Sequence, residues 1–297
     1  MTLIEGKVVS QNVFDKLRKE IALLTAEGKP APFLIAILVG NDPASESYVS
    51  GKKKSCDSIG MRSEVLRLPE ETTQDELIKI VNKYNADPLC NGVLVQLPVP
   101  KHIDENAIIN SILPTKDVDG FHPVNIGKLM IGTTGFVSCT PACIHEMIKY
   151  YNIETSGKHV VVVGRSNIVG KPIANILLQK KPFANAVVTV CHSAAGDLGK
   201  YTRDADILIA AIGSPLFIKA DMVKEGVVVI DVGINRVPDA TRPKGYRIVG
   251  DVDFENVAPK ASFITPVPGG VGLTTVALLL QNTLLAYKLQ NGLVKEA

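Results

Sequence analysis

Tryptophan is absent from this 297-residue chain and aromatic residues make up only 5% of it, so any core must be aliphatic. Long apolar runs are missing as well. Residues 207–212 form one of the most apolar stretches, far short of the ~18 residues that a membrane-spanning helix needs. The amino terminus, Met1-Thr2-Leu3-Ile4-Glu5-Gly6-Lys7, lacks the charged-then-apolar pattern of a secretory signal. The five cysteines, Cys56, Cys90, Cys139, Cys143 and Cys191, are odd in number and mostly scattered. That pattern excludes a disulfide framework and points to a reducing compartment. Cys139 and Cys143 have no further Cys or His at zinc-site spacing, because His145 follows too closely, so no metal is expected. Charge of one sign is not in excess either: 32 basic residues face 30 acidic ones, for a net +2. This balance argues against a nucleic-acid or membrane-surface protein, and a soluble cytoplasmic one is expected. What is present is a 46% hydrophobic and 21% charged composition, ample for a folded core. The length is close to twice the ~150 residues of one domain, so two domains are expected.

Apolar periodicity alternates between helix and strand along the chain. Residues 10–27 carry Val13, Leu17, Ile21 and Leu24 at helical spacing, and Gly28-Lys29-Pro30 stops them. Residues 33–39 form a continuous apolar run suited to a buried strand. A helix over 45–59, a strand over 64–68, a helix over 73–84 and a strand over 92–96 follow. This order predicts a parallel sheet covered by helices. A short helix near 104–112 precedes a loop-rich stretch over 114–132. A second run then predicts helices over 140–151 and 170–179, and strands over 158–163, 186–191, 207–211 and 227–232. A long helical segment covers 271–289, and the boundary between the runs is placed near 132–138.

The strongest local signal in the second run is Val160-Val161-Val162-Val163-Gly164-Arg165-Ser166-Asn167-Ile168-Val169-Gly170. A strand, a glycine turn and a helix start form the arrangement that binds phosphates in α/β folds, because the helix N-terminus offers free N–H groups and a positive dipole end. The G-x-G-x-x-G fingerprint is not met, since Ser166 and Val169 stand at its second and third glycines. An ordinary strand-to-helix turn is therefore the alternative. The next strand ends in Cys191-His192-Ser193-Ala194-Ala195, without the carboxylate that usually binds the ribose hydroxyls of NAD. A carboxylate there would repel a 2′-phosphate, so its absence favours NADP, with Arg165 and Ser193 as phosphate partners. A surface Arg and a capping Ser are the plainer reading. Further strands end in Gly213-Ser214 and Asp231-Val232-Gly233-Ile234, again small or polar groups.

In the first run Tyr48 and Lys52 are four apart on one helix face. A run such as Lys52-Lys53-Lys54 is usually a solvated face, but Gln96 ends a buried strand, where α/β sites collect. Asp117 and Asp119 lie in Lys116-Asp117-Val118-Asp119-Gly120-Phe121. Without neighbouring His or further carboxylates that pair is a weak metal motif, and turn or capping roles are the alternative.

Taken together these segments resemble the methylenetetrahydrofolate dehydrogenase/methenyltetrahydrofolate cyclohydrolase family, from about Val39 to Leu285. The resemblance is carried by Val39-Gly40-Asn41-Asp42-Pro43-Ala44-Ser45 through Tyr48 and Lys52, by Val95-Gln96-Leu97-Pro98, and by Lys116 through Pro123. It continues in Val163-Gly164-Arg165-Ser166, Val169-Gly170-Lys171-Pro172 and Thr265-Pro266-Val267-Pro268-Gly269-Gly270-Val271-Gly272. The chain departs from the family pattern at Leu273-Thr274, where Pro-Met is common, and at Ser138, Cys143 and Ala195.

The resemblance implies two α/β domains around a cleft, the second a Rossmann-type dinucleotide-binding domain. Residues 1–137, completed by a helix over 271–297, would bind folate, and residues 138–270 would bind NADP. It implies hydride transfer from 5,10-methylenetetrahydrofolate to NADP, then hydrolysis of the methenyl product to 10-formyltetrahydrofolate. The catalytic residues implied are Lys52, Gln96, Tyr48 and Asp119: Lys52 handles the proton, Gln96 holds Lys52 and orients water, Tyr48 stacks on the folate, and Asp119 accepts from the pterin N–H groups. Val95, Leu97, Pro268, Gly269 and Gly270 join them as substrate contacts. Gly164, Arg165, Ser166, Ile168, His192, Ser193, Gly213 and Ile234 are the cofactor contacts expected. A homodimer is also implied. A dehydrogenase-only member, NAD-linked, and a non-catalytic dinucleotide-binding regulator are the alternatives, and retention of Lys52 and Gln96 counts against both.

Overall fold

A computed structural model of the chain describes residues 1–133 and 135–295. Its first elements are β1 (Thr2–Leu3), α1 (Gly6–Ala26), β2 (Phe33–Val39), α2 (Pro43–Ser58), β3 (Arg62–Leu68), α3 (Gln74–Ala86), β4 (Gly92–Val95), α4 (Glu105–Ser111), α5 (Pro123–Ile131) and α6 (Cys139–Tyr150). There follow β5 (His159–Val163), α7 (Gly170–Leu178), β6 (Val187–Cys191), α8 (Gly199–Thr202), β7 (Ile207–Ala210), β8 (Val228–Asp231), β9 (Asn235–Pro238), β10 (Tyr246–Val249), α9 (Phe254–Val257), β11 (Phe263–Ile264) and α10 (Thr275–Gln290).

These elements form two compact units. One comprises Gln11–Cys139 and the chain from Val276 onward. Its sheet, in the order β3-β2-β4, is parallel throughout. The aliphatic core predicted from the lack of tryptophan is present: Ile35, Ile37, Leu77, Val81, Val93 and Ile108 are buried together. Local chemistry sets the helix starts. The Asp42 carboxylate accepts from Ser45 N–H at 2.8 Å ahead of Pro43, and Thr73 with Glu76 forms a capping box at α3. The stretch over 114–132, expected to be loop-rich, also contains the helix α5. Pro123 occupies its first turn, where the missing N–H costs nothing, and His122 Nδ1 accepts from Val124 N–H at 3.1 Å. Pro and Gly were read as loop signals where they are helix boundaries.

The other unit comprises Met1–Ser10 and Thr140–Thr275. Its sheet runs β6-β5-β7-β8-β11-β1, with every pairing parallel. Val160, Val161, Val162 and Val163 are fully buried, as a central strand of such a sheet requires. Counted from β5, the order of its first five strands is 2-1-3-4-5, a doubly wound arrangement whose strand order reverses between β5 and β7. The sequence places the first ten residues with the other unit. They group here because β1 pairs with β11, through Thr2 with Phe263 and Leu3 with Ile264. The short hairpin β9-β10, not foreseen either, is antiparallel.

Candidate active site

In the first unit the chemistry gathers at the carboxyl end of β4. The buried positions of α2 are Ser45, Val49 and Cys56, continued by Ile59 just past its end, and Lys52 falls between them on the same stripe, half-buried. Lys53 and Lys54 are exposed, and Lys53 pairs with Asp57 at 3.7 Å. Lys52 is thus set apart from the solvated lysines beside it. Its Nζ donates to Gln96 Oε1 at 2.9 Å, while Gln96 Nε2 donates to Leu97 O at 2.8 Å. Both ends of the Gln96 amide are engaged, so its oxygen faces the lysine. Tyr48, one turn before Lys52, is 61% exposed, a large aromatic face turned outward. Val95 is buried in the core and Leu97 packs against it, so their nearby groups are main-chain ones.

Asp117 and Asp119, a single motif in sequence, have opposite fates. Asp117 is buried and accepts from His122 N–H at 2.8 Å, Asn125 Nδ2 at 2.9 Å and Phe121 N–H at 3.3 Å. It is a capping residue, the plainer of the two readings. Asp119 is half-buried and, among the described residues, no donor reaches its carboxylate. Burial pushes that carboxyl up to about 6, against the opposing charge of Lys52 and with a small contribution from Asp117. A carboxylate left without donors inside the chain is suited to accept them from a ligand. Among the described residues no cluster of three or more His, Cys, Asp or Glu is placed to hold a metal ion.

In the second unit the expected nucleotide contacts gather where β5 and β7 end. Gly164 has φ +128°, and a Cβ there would lie 2.2 Å from Ala211 O. The two strand ends therefore approach as closely as backbone allows, at the switch point where doubly wound sheets bind ligands. Ser166 Oγ accepts from Val169 N–H at 3.1 Å and Gly170 N–H at 3.4 Å at the start of α7. Arg165, Ser166 and Ile168 are exposed on this turn. After β6, His192 Nδ1 accepts from Ala194 N–H at 3.3 Å, which leaves Ser193 exposed. The nearest carboxylate along that segment, Asp197, accepts from Gly199 N–H at 2.9 Å and lies 3.8 Å from Arg203. No acidic group ends β6 itself.

A buried carboxylate pair, of which the sequence marks only Asp231, organises the remaining strand ends. Asp251 Oδ2 accepts from Ile212 N–H at 2.8 Å and Gly213 N–H at 3.0 Å, and its Oδ1 accepts from Asn235 Nδ2 at 2.9 Å. Asp231 accepts from Gly233 N–H at 2.9 Å, Asp251 N–H at 3.0 Å and Val252 N–H at 2.9 Å. Burial pushes Asp231 up to about 6 although those N–H groups favour its charged form. Gly213 is held by Asp251 and so presents other atoms than its N–H. Ile234 is 63% exposed and stands beside Gly272. Pro268 is exposed, Gly270 buried, and Gly269 O accepts from Gly6 N–H at 2.9 Å. Asp251 sits in Gly250-Asp251-Val252, where only its place after a short strand would have marked it.

Comparison with known proteins bears on both units. Residues 4–119 match the family model for the tetrahydrofolate dehydrogenase/cyclohydrolase catalytic domain. Residues 138–291 match the model for the NAD(P)-binding domain of the same family. The bifunctional protein FolD of Chlorobium chlorochromatii is 56% identical over 99% of this chain and 100% of its own. A crystal structure of the bifunctional FolD methylenetetrahydrofolate dehydrogenase/cyclohydrolase from Campylobacter jejuni is 46% identical, with a TM-score of 0.91 over 99% of this chain and 100% of that one. The Trypanosoma brucei FolD structure, complexed with NADP cofactor and inhibitor, is 38% identical, with a TM-score of 0.89 over 97% of each chain. The chain belongs to the tetrahydrofolate dehydrogenase/cyclohydrolase family.

Proposed function

We infer that the chain oxidises 5,10-methylenetetrahydrofolate to the 5,10-methenyl cation with NADP, and hydrolyses that cation to 10-formyltetrahydrofolate. The observation that carries the hydrolytic half is the 2.9 Å contact between Lys52 Nζ and Gln96 Oε1 at the end of β4. Water must lose a proton as it adds to the methenyl carbon, and N5 must gain one as its bond to that carbon breaks. A lysine held at one atom by an amide, on the buried stripe of its helix, is suited to move that proton. Gln96 fixes the direction of the Lys52 head group and lies within reach of the same water. Asp119, which no donor among the described residues reaches, accepts from the amino and ring N–H groups of the pterin. Tyr48 offers its exposed ring as a stacking face.

NADP, when bound, supplies the hydride acceptor. The residues fit it: Gly164, at φ +128° against Ala211 O, lets the ends of β5 and β7 close on one another at the switch point where such a cofactor would bind. Arg165 and Ser193 hold the 2′-phosphate, and Ser166, Ile168, His192, Gly213 and Ile234 line the rest of that site. Pro268, Gly269 and Gly270 contribute main-chain atoms to the substrate. The role of the chain in hydride transfer is positioning.

A dehydrogenase-only enzyme is the second reading, and the intact Lys52–Gln96 pair counts against it. The protein acts as a cytoplasmic homodimer. Supporting the dimer, β6 is a sheet edge with Val187 and Val190 exposed, a surface prone to pair with a second copy. No helix among the described residues is long and apolar enough to cross a membrane. The deciding assay supplies 5,10-methylenetetrahydrofolate with NADP or NAD and follows both products. Reduction of NADP with appearance of the 10-formyl compound is expected. No reduction of either cofactor overturns the reading.

A further inference from the structure

We propose that Asn282, on α10, is a positioning residue for Asp119, a proposal that rests on the reading of Asp119 as the pterin acceptor. Most of α10 from Ala277 to Leu284 is buried and apolar, with Leu278, Leu279, Leu280 and Leu284 in the interior. Asn282 interrupts that face. A buried amide is costly unless its hydrogens are used. Here both are: Nδ2 donates to Val118 O at 2.8 Å and to Val137 O at 2.9 Å.

Those two carbonyls belong to separate segments that meet at Asp119. Val118 immediately precedes Asp119 and is itself fully buried. Gly120, immediately after, has φ +72°, and a Cβ there would lie 2.6 Å from Ser138 N and 2.7 Å from Val137 C. The turn carrying Asp119 is thus pressed against the segment at Val137, and the Asn282 amide clamps the two together. Upstream, Val93 N–H donates to Lys116 O at 2.9 Å, and Lys116 Nζ donates to Tyr84 O at 2.9 Å and Asp87 O at 2.6 Å. Downstream, Asp117 holds the start of α5. The peptide between, at Val118, has its carbonyl held by α10. Among the described residues Asp119 has no side-chain partner of its own, so the direction of its carboxylate follows from this backbone. Loss of the clamp frees one peptide plane beside the acceptor and leaves two carbonyls without their donor.

A double-mutant cycle separates positioning from a general structural role. The probe is 5,10-methylenetetrahydrofolate, with the Michaelis constant for NADP as the control. Asn282→Leu is expected to raise the folate Michaelis constant about tenfold, with kcat and the NADP constant within about twofold of the parent. In an Asp119→Asn background the same substitution is expected to add less than about twofold, because the carboxylate it aims is gone. Asn282→Ser retains one donor, should fall between parent and Asn282→Leu, and serves if the leucine variant does not fold. Equal fold-changes in both backgrounds, or no change in the folate constant of a folded Asn282 variant, overturn the positioning role alone. An Asp119→Asn enzyme with an unchanged folate constant overturns the reading of Asp119 and this proposal with it.

Discussion

Lys52 Nζ and Gln96 Oε1 stand 2.9 Å apart, joined across the end of a buried strand by side chains 44 positions apart in sequence. The lysine alone is an ordinary helix residue, and Gln96 alone is a polar group leaving a core. Paired, they form a lysine head group held at one atom, which suits the proton transfer proposed for it. Gln96→Leu keeps the volume and removes the acceptor. It is expected to slow ring opening by ~10²-fold, in the range general acid–base contributions take. NADP reduction should fall by much less. Stopped-flow absorbance of the methenyl intermediate, which should now accumulate, checks this.

Asp119 makes a prediction about stability that runs against its expected role in binding. Its carboxyl is pushed up to about 6 in the fold, above the ordinary 3.8. Between those values the folded chain binds more protons than the unfolded one, so this group costs stability as pH rises through about 4 to 6. Above that window the cost is fully present, on the order of 2–3 kcal/mol. Asp119→Asn should therefore stabilise the ligand-free protein at pH 7.5 and show little difference near pH 4, while folate binding weakens. Urea midpoints at the two pH values test this. A variant less stable than the parent at pH 7.5 contradicts it.

Arg165 is exposed on the turn after β5, with no carboxylate at the end of β6. Arg165→Ala should raise the Michaelis constant for NADP by ~10–100-fold, the worth of a charge-assisted contact of roughly 1.5–3 kcal/mol. The constant for NAD should change little. Parallel titrations with the two cofactors decide, and equal effects remove the 2′-phosphate contact.

Gly164→Ala places a methyl 2.2 Å from Ala211 O at a φ of +128°. Backbone strain and overpacking each cost roughly 1–3 kcal/mol. Because the strained backbone is at the proposed cradle, NADP binding should be lost along with at least ~2 kcal/mol of stability. Denaturant unfolding and a cofactor titration on the same variant measure both.

Much of this architecture was legible from pattern. Residues 33–39 and 160–163 are apolar runs of strand length, and the structure makes them central strands. The i,i+4 spacing of Tyr48 and Lys52 placed them on one helix face, but only the fold shows that Lys52 lies on the buried stripe and its lysine neighbours do not. Asp117 and Asp119 are one motif in sequence and differ in the fold, because donors from Phe121, His122 and Asn125 converge on the first alone. Pairing of β1 with β11 rests on two residues at each end of a long separation, too few for any periodicity to reveal. Asn282 and Asp251 were invisible for a related reason: each acts on main-chain atoms distant in sequence, and main-chain partners carry no residue signature.

The central claim is that one site carries two reactions and that Lys52 belongs to the second. The most direct measurement is product analysis of Lys52→Met supplied with 5,10-methylenetetrahydrofolate and NADP. Methenyltetrahydrofolate should form and persist, opening only at the uncatalysed rate. Catalysed formation of 10-formyltetrahydrofolate at the parent rate would contradict the account.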